Sequence, residues 1–69
     1  MSKYKELWEY IKNSKEGNLT LTFSDIENIL GFPIDHSFLK YKKELLDYGY
    51  IVEKISMKDK KIIFRKNEV

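Results

Sequence analysis

His36 is the one histidine of the chain, and no cysteine accompanies it. That pair of facts narrows the chemistry at once. Thiolate nucleophiles, disulfides and thiolate metal sites are excluded. No Gly-x-Ser-x-Gly, phosphate-loop or His-Glu-x-x-His pattern occurs. Asp35 beside His36 supplies too few ligands for a metal ion. Asp25 and Glu27 have a simpler use near the start of a helix. The residues therefore read as those of a protein that is not an enzyme and needs no cofactor or metal. Cations are the chemistry that remains. His36, Ser37, Lys40 and Lys43 recur at helical spacing on one side of a segment, and Lys54, Lys58, Lys60, Lys61, Arg65 and Lys66 crowd the C-terminal end. Amines and a guanidinium in such numbers can neutralise phosphates.

The charge is unevenly placed. Residues 1–35 hold four Lys against six acidic residues, and residues 36–69 hold eight Lys and one Arg against five, within a net charge of +2. A basic C-terminal half draws either phosphate or an acidic protein surface. The chain of 69 residues reads as a single domain, 1–69. At that size only about 60% of the unfolded surface is buried, so the core is small. No apolar run approaches the ~18 residues of a membrane span. The charged start, MSKYKELWEY, is unlike a signal peptide. A cytoplasmic protein without membrane contact is expected.

The elements that must position the cations follow from periodicity. Ser2 is placed to cap a first helix, on which Tyr4, Leu7, Trp8 and Ile11 form one apolar stripe. NSKEGN, from Asn13 to Asn18, reads as a loop. LTLTF, from Leu19 to Phe23, alternates like a short strand. Thr22 followed by Asp25, or Ser24 followed by Glu27, resembles a capping box that opens a second helix. Phe23, Ile26, Ile29 and Leu30 share its apolar side. Gly31 suits the left-handed conformation that ends a helix, and Pro33 prevents its resumption. A third helix starts near Asp35 or Ser37, with Phe38, Tyr41, Leu45 and Tyr48 in one row and Leu39 and Leu46 beside it. Its opposite side presents His36, Lys40, Lys43, Glu44 and Asp47. Lys42 falls within the apolar arc and must extend to water. Gly49 closes the helix. YIVEKIS and KKIIFRK read as two strands around a hairpin tip, MKDK. The expected class is α+β, in the order α-β-α-α-β-β.

FLKYKKELLDYGYIVEK, from Phe38 to Lys54, followed by a basic hairpin, resembles the C-terminal half of winged-helix (winged helix-turn-helix) DNA-binding domains. Leu45, Gly49, Tyr50 and Ile51 match the Leu-x-x-x-Gly-[aromatic or Leu]-Ile pattern that ends the recognition helix there. The resemblance implies that the short second helix orients the third. It also implies that the strand at Leu19 pairs with the wing to close a three-stranded antiparallel sheet. The segment Leu19 to Ile34, which contains LTFSDIENILGFPI, is similar to a motif of small uncharacterised bacterial proteins, Leu-Thr-Phe-x-[Asp/Glu]-Ile-Glu-x-Ile-Leu-Gly. That likeness supports the fold and assigns no activity.

The leading expectation is a nucleic-acid-binding module that meets duplex DNA through the third helix and the wing. The lysines and Arg65 would take phosphates, and His36, Ser37 and Lys40 would contact bases. Against it stand the lack of Arg, Asn and Gln on that helix face and the presence there of Glu44 and Asp47. The alternative is a small protein-binding adaptor, or an inhibitor of a nucleic-acid enzyme of the kind phages and mobile elements encode. For that use Tyr10 and Tyr50 are the candidate anchors. Either module would act as a monomer or a homodimer.

Overall fold

The computed structural model describes residues 3–67. Its order is α1 (Lys5–Ser14), β1 (Asn18–Thr22), α2 (Phe23–Leu30), α3 (Ser37–Tyr41), a 3₁₀ segment (Lys42–Tyr48), β2 (Tyr50–Ser56) and β3 (Lys61–Lys66). The architecture is α+β, with an antiparallel sheet of order β1-β3-β2. The N-terminal strand thus pairs with the hairpin, as expected. The cap assigned to Ser2 lies outside the described residues, and Tyr4 takes the N-cap position of α1, its hydroxyl turned to Ser37 and Asp35 rather than to the helix amides.

Burial follows the helical stripe. Tyr4, Leu7, Trp8 and Ile11 are all buried, together with Ile26, Phe38 and Leu45 from the other helical segments. Leu21, Ile62, Phe64 and Tyr50 close the core from the sheet. Five rings gather at its centre: Tyr4 lies 5.7 Å from Trp8 and meets Phe38 edge to face at 5.6 Å, with Phe32 and Tyr41 beside them. Aromatic rings give a small domain a large apolar area per residue.

The strand-to-helix junction uses no loop. Thr22 ends β1, opposite Lys61, and is also the N-cap of α2. Its hydroxyl accepts from the Asp25 amide at 3.0 Å, and the Asp25 carboxylate accepts from the Thr22 amide at 3.1 Å. The capping box is therefore Thr22–Asp25 and the helix begins at Phe23, directly after that cap as the box implies, so the strand ends one residue before the LTLTF pattern does. The Phe23 amide donates to the Lys60 carbonyl at 2.8 Å. Gly31 ends α2 at φ 85°, which only glycine adopts without strain.

The third helix differs from expectation. It is α-helical for five residues and then winds as a 3₁₀ segment up to Gly49, also at φ 85°. Phe38 and Leu45 remain buried and Tyr41 and Tyr48 half-buried. Leu39 and Leu46 do not join them, being 57% and 50% exposed. With a single sheet to pack against, only one narrow stripe of the segment finds cover. Glu44 is half-buried and takes a hydrogen bond from Trp8, so it does not stand on the open face with Asp47.

A bulge in β2 decides which side chains face the helices. Val52 opposes Phe64, but Lys54 opposes Ile63 and Ile55 opposes Ile62, so Glu53 is left over. The extra residue turns Ile55 inward and Lys54 outward, the reverse of plain alternation.

Candidate functional site

Strand alternation sorts the predicted cations. In β3, Ile62 and Phe64 are buried against the helices, so Lys61, Ile63 and Arg65 point to the opposite face. The bulge adds Lys54 to them, and pairing brings Thr20 beside Ile63 and Thr22 beside Lys61. Lys54, Lys61 and Arg65 thus share the uncovered face of the sheet. Arg65 there pairs with Glu53 at 3.3 Å. Lys58 and Lys60 sit in the exposed hairpin tip, Lys60 at φ 52°. Lys66 is exposed at the far end of β3, on the other side of the strand.

The helical candidates belong to another layer. His36, Lys40 and Lys43 are exposed, and the Lys40 amine stands over the Tyr41 ring at 5.3 Å. The sheet lies between them and the face that carries Lys54, Lys61 and Arg65, so the ten expected residues form no single surface. Ser37 is engaged internally. Its hydroxyl and amide meet the Asp35 carboxylate, and its Oγ is 2.7 Å from the Tyr4 hydroxyl. Tyr50 is 4% exposed, and its hydroxyl donates to the Glu16 carbonyl at 2.7 Å. That ring is part of the core, so almost none of its surface is accessible in the folded chain. Tyr10 is 48% exposed, as an interface residue needs to be.

Asp35 is an acid whose environment is strongly biased. Hydrogen bonds from the Lys3 amine, then from the Ser37 hydroxyl and amide, hold its carboxyl well below the usual range. The Lys3 amine, 2.7 Å away, is raised in turn chiefly by that hydrogen bond. The pair clamps the N-terminal end of α1 to the turn that opens α3. Its role is structural.

The feature that sequence reading missed is apolar. A groove of about 440 Å³ opens between α2, the turn into α3 and the hairpin. Phe23, Ser24 and Glu27 line it from α2, and Pro33, Ile34, His36 and Leu39 from the turn and α3. Ile55, Met57 and Ile62 line it from the hairpin. Leu39 and Met57, the latter 72% exposed, stand at its rim. The available signals were Leu39 lying off the buried row and Met57 as an apolar residue in a charged turn. The Glu27, Lys58 and Lys60 side chains make no ion pair among the described residues.

No described helix is long and apolar enough to cross a membrane, and no cluster of ligands among the described residues could hold a metal ion. Compared with protein-family models, with curated proteins and with solved structures, the chain matches none.

Proposed function

We propose that the protein is a winged-helix-like binding module of the cytoplasm that docks on another polypeptide, without catalysing a reaction. The groove between α2, the start of α3 and the hairpin is its contact surface. One observation carries the reading: Leu39 and Met57 are exposed side by side with a concavity lined by Phe23, Ile34 and Ile55. A concavity lined mainly by apolar side chains is the kind of surface on which a partner docks. Fully burying an exposed Leu or Met contributes about 1.5–3 kcal/mol, and Leu39 and Met57, already partly covered, would contribute less than that each. The occupant is an apolar segment with both charge signs, a cation opposite Glu27 and an anion opposite Lys58 and Lys60.

The test is an amide chemical-shift titration with an amphipathic helical probe peptide whose polar face carries Lys and Glu. Shifts should centre on Glu27, Leu39 and Met57 and disappear in a Leu39→Glu, Met57→Glu double variant that remains folded. A spectrum unchanged by the peptide would overturn the reading.

A second reading keeps nucleic acid and moves it. The uncovered sheet face aligns Lys54, Lys61 and Arg65 with the hydroxyls of Thr20 and Thr22. That combination suits phosphate oxygens and carries no base-reading pattern. It supports weak, sequence-indifferent binding by the sheet, with the third helix uninvolved.

A further inference from the structure

The groove lies between two segments of opposite charge, and Asp35, the acid that lines it together with Glu27, is already paired with Lys3. α2 contributes Asp25 and Glu27 and no Lys or Arg. The hairpin tip contributes Lys58 and Lys60, and its one acid, Asp59, is turned back to Ser56, with its amide and carboxylate on that hydroxyl. Within one molecule these flanks leave each other unpaired, as the free side chains of Glu27, Lys58 and Lys60 show among the described residues. A surface that is negative on one flank and positive on the other, with apolar residues between, is complementary to itself. Rotation by half a turn about the length of the groove lays each α2 over the other copy's hairpin tip.

We propose that the occupant of the groove is a second copy of this chain, related by a two-fold axis running along it. The inference rests on the docking reading above and names its partner. In the dimer, Glu27 of each copy meets Lys58 and Lys60 of the other, and Leu39 and Met57 of each copy are covered by the other's groove. A two-fold interface repeats every contact twice, so a modest patch counts double. The opposite sheet faces stay open, with their cations on the outside of the pair.

Charge exchange tests this directly. The full chain should show a concentration-dependent monomer–dimer equilibrium by sedimentation. Glu27→Lys alone places like charges together at both ends of the interface, and so does Lys58→Glu with Lys60→Glu. Each variant should weaken self-association by at least about tenfold. Mixing the two variants creates two attractive pairs, and a mixed dimer should form, identified by mass. All three positions are exposed, and circular dichroism of each variant should match that of the wild-type chain. A wild-type chain that stays monomeric into the millimolar range would overturn the proposal, as would failure of the mixture to associate. If that monomer still binds the probe peptide at Leu39 and Met57, the docking reading stands and the self-partner alone falls. If it binds nothing, both fall.

Discussion

The Trp8 indole N–H donates to the Glu44 carboxylate at 3.1 Å, joining α1 to the 3₁₀ segment across 36 residues of sequence. The indole is buried, so its donor has no access to water if the partner is removed. Glu44→Leu should destabilise the fold by about 1–3 kcal/mol, the cost of a buried donor left unsatisfied. Glu44→Gln keeps an acceptor and should cost clearly less. Urea midpoints of the two variants decide the matter. Equal losses would show that the hydrogen bond contributes nothing beyond packing.

Acid stability should depend on Asp35. Its carboxyl is held below the ordinary range by Lys3 and Ser37, so folding favours its ionised form. The stability it supplies is complete above the unfolded carboxylate pKa and is lost as pH falls through the lower folded value. A carboxyl-carbon titration should place the midpoint of Asp35 below that of an unperturbed aspartate. Asp35→Asn should weaken the fold at neutral pH and flatten the acid limb of the stability profile. Lys3 acts at the other extreme: its contribution is present below the unfolded lysine pKa and fades as pH rises through the raised folded value. A normal Asp35 midpoint would mean that the clamp on the α3 turn is not formed in solution.

Two glycines should respond with opposite signs. Gly49 sits at φ 85° with open space where a Cβ would stand. Gly49→Ala is therefore penalised by backbone conformation alone, by about 1–2 kcal/mol. Gly17 also has open space and lies outside the positive-φ set. Gly17→Ala should be neutral or stabilising by up to about 1 kcal/mol, through a less disordered unfolded chain. Thermal unfolding of the pair measures the contrast.

Nucleic-acid affinity, where measurable at low salt, should map to the sheet. Three phosphate contacts from Lys54, Lys61 and Arg65 give a log–log salt slope near −2.7. Reversing those three charges should remove the binding, and reversing Lys40 and Lys43 should leave it nearly unchanged. The opposite pattern would restore the third helix as the contact element.

These expectations also show where sequence was informative. The stripe from Tyr4 to Ile11, the Thr22–Asp25 box and the glycine stops at Gly31 and Gly49 were all legible, because each is set by neighbours within four residues. The β1–β3 pairing was read through resemblance, and the structure has it. The bulge was harder. Val52 and Ile55 are spaced by three, which breaks a period of two, and only the partner strand shows that both face the core. The same non-locality hid the site. Leu39, Met57 and Phe23 lie far apart in sequence and meet only after the hairpin folds beside α2. The side-chain oxygens of Ser37 and Tyr50 were hidden for a related reason: each is engaged by a group more than 30 residues away, at separations of 33 and 34.

Thr22 closes a strand and opens a helix in a single residue, and the next amide is bonded to the hairpin. No spare link exists there to act as a hinge. α2 and the β-ribbon therefore move as one lever, and the width between them is set when the chain folds rather than when a guest arrives. On the proposed docking reading, a guest would have to match a width already set, and the Asp25 amide, bonded to the Thr22 hydroxyl, should exchange more slowly than a free surface amide.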